Sequence, residues 1–157
     1  MKIVRVTKKD VPKVLEFSKE FIVEYRKARK MKTKVSVETA LRYKKEYFEK
    51  TLESKNGTIF LAEKGKNRIG YIFVILFVPG MENAKRYSPG YISDLHINKN
   101  YRGRGYGTKL VKEAERWLRK QGKKDLALDV SISNKGAIRL YKRMKFEEKS
   151  IRFEKKL

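Results

Sequence analysis

Apolar residues recur along the chain with two periods, and the switches between them mark out the elements. Residues 2–6 alternate, with Ile3 and Val4 among basic neighbours, and predict an opening strand. Thr7-Lys8-Lys9-Asp10 has the form of a capping box, in which a threonine hydroxyl and an acid three residues on serve each other's backbone N–H groups. Beyond it Val11, Val14, Leu15, Ile22 and Tyr25 fall on one helical face. Residues 27–34 form a basic connector, and Ser36 is placed to cap a second helix whose stripe is Val37, Ala40, Leu41, Phe48 and Leu52. Asn56-Gly57 ends that helix.

Period two then returns. Residues 58–63 and 68–78 predict an antiparallel hairpin closed by Lys64-Gly65-Lys66-Asn67. The second of these strands is apolar on both faces and should lie centrally. Residues 79–89 form a loop and residues 90–97 a fourth strand. A helix starting at Gly107 or Thr108 carries Leu110, Val111, Ala114, Trp117 and Leu118 to Gln121, with a stop at Gly122. Residues 126–130 predict a fifth strand, Ser133 a cap for a helix bearing Ala137, Leu140, Tyr141 and Met144, and residues 146–153 a closing strand or bent pair. The order β-α-α-β-β-β-α-β-α-β, without repeat or linker, predicts one α/β domain over residues 1–157 built on a mixed sheet.

Composition narrows the chemistry. The 157 residues contain no cysteine and a single histidine, His96, which excludes a thiolate nucleophile and a multi-histidine metal site; no metal is expected. The N-terminus lacks the apolar core of a signal peptide, and the longest apolar run is too short to span a bilayer, so a soluble, cytoplasmic protein without a membrane partner is expected. The formal net charge of +23 sets up a field that attracts polyanions, or else reflects a lysine-rich surface.

The sharpest local signal is Tyr101-Arg102-Gly103-Arg104-Gly105-Tyr106-Gly107-Thr108, where a strand runs through a glycine-rich turn straight into a helix. Glycines allow positive φ and close approach of a ligand to the main chain. The N–H groups of the first helical turn then face an anion, with Lys99, Arg102, Arg104 and Lys109 adding charge. A Walker loop is excluded because Gly107-Thr108-Lys109 has its residues in the wrong order. A dinucleotide-binding fingerprint is excluded because Thr108 replaces its third small residue and too little chain follows.

Arg102, Gly105 and Gly107 meet the pattern Arg/Gln-x-x-Gly-x-Gly/Ala, and with Asn134 and Tyr141 in order on the following elements the second half resembles the GNAT acyltransferase superfamily. The first half matches in element order only. The resemblance implies a mixed sheet splayed between its fourth and fifth strands and acetyl-CoA as cosubstrate. It implies that the backbone of Leu95, His96 and Ile97 pairs with the pantetheine arm, and that Gly103, Arg104, Gly105, Tyr106, Gly107 and Thr108 receive the pyrophosphate. Arg102 would brace this loop or contact phosphate, and Asn134 would hydrogen-bond the arm. The family's usual glycine after the last helix is replaced by Lys145, which implies either a different helix ending or a strained residue.

By the same resemblance the reaction is N-acetyl transfer to a primary amine by direct attack in a ternary complex. Tyr141 is the candidate proton donor to the departing sulfur, since a phenol stays protonated at neutral pH. Asp129 and Asp94 are rival candidates for the base, with His96 a weaker one. The main chain near Ile97 is the candidate oxyanion donor. The acceptor, walled by the first two helices and the basic connector, is left open between a protein N-terminus, a lysine and a small amine. A positive field disfavours polyamines and aminoglycosides unless Glu20, Glu24 or Asp94 makes a local acidic pocket. A nucleic-acid-binding module is the rival class, less favoured because cations are spread over every element. A coenzyme-binding protein without turnover is a further alternative, and a homodimer is compatible with all of these.

Overall fold

The computed structural model describes residues 1–77 and 88–150, together with Phe153 and Lys155. Its elements are β1 (Lys2–Arg5), α1 (Val11–Ala28), α2 (Val37–Glu53), β2 (Gly57–Lys64), β3 (Asn67–Ile75), β4 (Gly90–Ile97), α3 (Tyr106–Lys120), β5 (Leu126–Leu128) and α4 (Lys135–Arg143), with single 3-10 turns at Lys8–Asp10 and Lys99–Tyr101. The sheet runs in the order β1-β2-β3-β4-β5, antiparallel as far as β4 and parallel between β4 and β5.

Helices cover both faces, which is why β3 is buried from Ile69 to Ile75 without alternation. On one side α1 and α2 lay Val11, Val14, Phe17 and Phe48 on Ile59, Leu61, Tyr71 and Phe73. On the other, Leu110, Val111, Ala114 and Trp117 of α3 and Tyr141 of α4 pack on Phe60, Ala62, Ile72, Val74 and Ile92. Each such large apolar side chain contributes about 1.5–3 kcal/mol on burial, so neither helical layer is dispensable. The opening turn carries the expected partners, with the Asp10 carboxylate accepting from the Thr7 N–H and hydroxyl. Ser36 caps α2 by accepting from the Thr39 N–H at 3.0 Å.

Two irregularities of β4 shape the surface on either side of it. Ile92 pairs with Val74 while Asp94 pairs with Phe73, so Ser93 is an extra residue and the strand bulges there. The bulge shifts the alternation by one. Ile92 joins the core under α3, whereas Asp94 and His96 turn to the α1 and α2 side, where they meet Lys44 and Phe17. The second irregularity is that β5 pairs only with Gly90, Ile92 and the residue between them. From Ser93 to Ile97 the β5-facing edge of β4 has no strand beside it among the described residues, which is the expected splay.

Several boundaries differ from the sequence reading. The α3 helix begins at Tyr106 rather than Gly107 or Thr108, because Gly105 itself takes the cap position. The β5 strand stops at Leu128 rather than residue 130: Asp129 leaves the ladder and its carboxylate accepts the Tyr91 hydroxyl at 3.0 Å. The cap of α4 is Asn134, whose Oδ1 accepts the Ala137 N–H at 3.1 Å, and not Ser133, whose hydroxyl donates to the Ala28 carbonyl at the end of α1. Finally, residues 146–150 form no strand. The Phe146 and Lys145 N–H groups return to the Tyr141 and Lys142 carbonyls, a Schellman ending that folds the Phe146 ring onto Tyr141 at 5.4 Å. The expected third strand ends at Ile75, and residues 78–87, with most of the expected loop, lie outside the described residues, as do residues 151 and 152 of the expected closing strand. Among the described residues no helix is long and apolar enough to cross a membrane.

Candidate active site

The glycine loop has the geometry that its composition suggests. Gly103 and Gly105 stand at φ 75° and 77°, values that side chains disfavour, and a Cβ on either would meet no protein atom within 4 Å. Gly105 is the N-cap of α3, so the next N–H groups have no intrahelical acceptor. The first return bond is from Lys109 to the Gly105 carbonyl, and among the described residues no acceptor faces the N–H groups from Gly103 to Thr108. Gly107 is glycine for a different reason: its Cα lies against α4, and a Cβ there would come within 3.2 Å of the Leu140 side chain. The result is a row of donors at the positive end of a helix, next to the end of β4, with Gly107 close to the Leu95 and Ile97 side chains.

The unpaired edge of β4 leads into that row. Asn98 donates its N–H to Ile69 on β3, so by alternation the main-chain groups of Ile97 and Leu95 point away from β3, into the gap. His96 does not share this orientation. Its carbonyl faces Gly70 on β3, and its side chain is buried between α1 and β3. Asn134 stands where the chain leaves the shortened β5; its Oδ1 is engaged as the α4 cap, which leaves its amide nitrogen available to donate.

Arg102 turns inward. Its Nε donates to the Ile97 carbonyl at 2.8 Å, and Nη2 lies 2.8 Å from both carboxylate oxygens of Glu24 on α1. These contacts tie the residue that opens the loop to β4 and α1. His96 belongs to the same cluster, with Nε2 3.3 Å from Glu20 and Nδ1 3.9 Å from Glu24. Burial pushes the His96 imidazole below its usual range; Glu20 and Glu24 pull it back up and Arg102 pushes it further down. Glu20, Glu24, His96 and Arg102 thus tie α1 to the start of the glycine loop.

On the α1 and α2 side of β4 lies a cleft of about 400 Å³, lined by Phe21, Tyr25, Arg26, Met31, Lys44 and Tyr91, with Ser93 and Asp94 at its base. Asp94 is 5% exposed. Its Oδ2 lies 2.6 Å from the Lys44 ammonium and accepts the Tyr71 hydroxyl at 3.2 Å. Tyr71 in turn lies 3.4 Å from Ser18. Burial and the Asp94 carboxylate push the Tyr71 phenol well above its usual range. Lys44 sits over the Phe21 ring at 4.5 Å, so its charge is stabilised by an aromatic face as well as by Asp94. Asp129, the other acid of interest, is exposed and bound by Tyr91, whose phenol is pushed up by burial and by that carboxylate.

Lys44, Tyr71 and Tyr91 escaped the sequence reading. Lys44 left a signal, since it interrupts the apolar stripe of α2 midway between Ala40 and Phe48. Tyr71, inside a continuous apolar run, left none. Tyr141 is buried in the core under α3, and burial alone pushes its phenol above the ordinary range. Among the described residues no group of histidine, aspartate and glutamate side chains could hold a metal ion.

A splayed sheet whose open edge runs into a row of donors at a helix start has the geometry of a site for a phosphate-bearing ligand. The family model of the acetyltransferase (GNAT) family matches residues 20–146, and the chain belongs to that family, whose cosubstrate is acetyl-CoA. An uncharacterized N-acetyltransferase of Methanocaldococcus jannaschii, MJ1207, is 31% identical over 105 residues, which are 67% of this chain and 46% of that protein. The human N-alpha-acetyltransferase 30 is 33% identical over 87 residues, 55% of this chain and 23% of that protein. The chain thus spans less than half the length of these relatives. Among solved structures, a mutant form of the BH1408 protein of Bacillus halodurans superposes with a TM-score of 0.83 at 18% identity over 100% of this chain and 99% of that one. A predicted acetyltransferase of Clostridium acetobutylicum with acetyl-CoA gives 0.75 at 16% identity, covering 99% and 95%.

Proposed function

We propose that the protein is an N-acetyltransferase that moves the acetyl group of acetyl-CoA to the free N-terminus of a polypeptide. The observation that carries this reading is the row of N–H groups from Gly103 to Thr108, without acceptors among the described residues, at the end of an unpaired strand edge. Its donors fit a pyrophosphate, with Lys99, Arg104 and Lys109 around it. The outward main chain of Leu95 and Ile97 and the amide nitrogen of Asn134 fit an amide-bearing arm lying in the gap. Arg102 serves by holding the loop against α1, and His96 by filling the space behind it. The relatives named N-alpha-acetyltransferases favour a polypeptide N-terminus among amines.

Acetyl-CoA supplies the activated acetyl group. Forming the amide breaks the carbon–sulfur bond, removes a proton from the amine nitrogen and returns one to the sulfur. Tyr141, a phenol that is protonated at any physiological pH, is the candidate to hand that second proton to the sulfur. Asp94 is poorly placed as an unassisted base, because Lys44 and Tyr71 already occupy one of its oxygens. Asp129, exposed and held by one hydrogen bond from Tyr91, is the better proton acceptor of the two.

A thiol-release assay with acetyl-CoA tests the reading across peptides with free N-termini, peptides with only lysine amines, polyamines and aminoglycosides. Turnover with free N-termini is expected, and Tyr141→Phe should lower kcat at least about tenfold with little change in KM. No thiol release with any amine would overturn the assignment.

A further inference from the structure

The acceptor cleft is electrostatically one-sided. Each of its acids is partnered: Asp94 by Lys44 and Tyr71, and Asp129, beside it, by Tyr91. Glu20 and Glu24, which could have made the pocket acidic, are drawn into the cluster with His96 and Arg102. The cations at the end of α1 and in the connector, by contrast, have no carboxylate partner among the described residues. Arg26, Lys27, Arg29, Lys30, Lys32 and Lys34 follow one another there, with no acid between Glu24 and Glu38.

This segment borders the cleft. Arg26 and Met31 line it, and Arg26 donates to the Val35 carbonyl at 3.0 Å, which folds the connector back across the end of the helix. Lys27, Lys30, Lys32 and Lys34 are exposed, and the C-terminal end of α1 adds its own negative pole only at the carbonyls beneath them. Tyr25, Met31 and Val35 are also exposed along the same lip, at 43%, 48% and 42%, an apolar strip interleaved with ammonium groups. A small polycationic acceptor would meet repulsion here. An extended chain could lay apolar and amide groups on the strip and place carboxylates among the lysines.

We propose, resting on the transferase reading above, that the acceptor is a polypeptide whose first few residues after the reactive amine carry acidic side chains, recognised by Arg26, Lys27, Lys30, Lys32 and Lys34. The uncharged N-terminal side chain enters the aromatic cleft of Phe21, Tyr25 and Tyr91, and the acidic residues stay on the lip. Selectivity comes from charge at the mouth rather than from the shape of the pocket.

The test compares labelled peptides with a free N-terminus that differ only in carrying Glu or Gln at their second to fourth positions. Binding is read by fluorescence anisotropy and acetylation by thiol release. The acidic peptide should bind, and be acetylated with a kcat/KM, about tenfold better at about 50 mM salt, with the gap closing near 0.5 M as the charges are screened. The combined variant Lys27→Gln, Lys30→Gln, Lys32→Gln, checked for an unchanged melting temperature, should bring the ratio of the two peptides close to one. Equal behaviour of the two peptides on the unaltered protein would overturn the inference. So would an unchanged ratio in the folded variant, or displacement of the acidic peptide by a short oligonucleotide of equal charge that binds more tightly. Absence of thiol release with every amine is a separate result, which strikes the transferase reading itself.

Discussion

Lys145 stands at φ 64° in a Schellman ending that ordinarily takes glycine. Its N–H bonds to the Lys142 carbonyl, and the turn it makes delivers Phe146 to Tyr141, so the ending is kept and the residue bears the strain. Lys145→Gly should therefore stabilise the fold by about 0.5–1 kcal/mol, the left-handed penalty relieved less the added freedom of the unfolded chain. Lys145→Ala, with a Cβ and the same φ, should not. Chemical denaturation of the three proteins measures this directly, and a destabilised glycine variant would mean that Lys145 has a favourable contact outweighing its strain. At this scale the sequence was informative wherever a residue type is tied to a backbone state, as at Gly103, Gly105, Gly122 and Lys145. It was silent about Tyr71 and Tyr91, whose hydroxyls matter because of what the fold brings opposite them.

Among elements, the junction of α1 with β4 governs how the glycine loop is held. Its link is the cluster of Glu20, Glu24, His96 and Arg102, with Tyr71 of β3 nearby at a 6.3 Å ring separation from His96. Because burial lowers the His96 imidazole below its value in the unfolded chain, the folded state binds fewer protons in this range. Stability from this group is therefore complete above about pH 6.5 and falls as the pH drops below it. The melting temperature should decline as the pH falls from about 6.5 to about 5.5, and His96→Gln should flatten that decline. A melting temperature that rises on acidification would contradict the sign.

Elements that the periodicity marks strongly, such as β4 and α2, match their expected starts, while β5 ends two residues early and residues 146–150 after α4 form no strand. Both misjudged segments sit where a local interaction outcompetes strand propensity: Tyr91 draws Asp129 out of the ladder, and the Schellman turn draws Phe146 back. The bulge at Ser93, which decides that Asp94 and His96 face α1, has no signature in the hydrophobic pattern. Alternation puts those two residues on one face of the strand without saying which side of the sheet that face meets.

For the whole molecule, +23 of formal charge on 157 residues is unevenly employed. The ion pairs among the described residues engage ten of the 41 lysines and arginines. The consequence falls on association rather than on fold: anionic ligands, the coenzyme included, should arrive faster at low salt. On the proposed function, that field and the donor row of the glycine loop would act on the same phosphates, and a variant that alters one and not the other separates them.

Gly105 provides it. A side chain there meets open space rather than protein, and Gly105→Asn tolerates the left-handed backbone without adding charge, whereas Gly105→Glu places a carboxylate at the proposed phosphate site. Titration calorimetry with acetyl-CoA on the three folded proteins should show binding to the original chain, retained in large part by the Asn variant and weakened at least about a hundredfold by the Glu variant. Equal affinity in all three would contradict a diphosphate site at the start of α3.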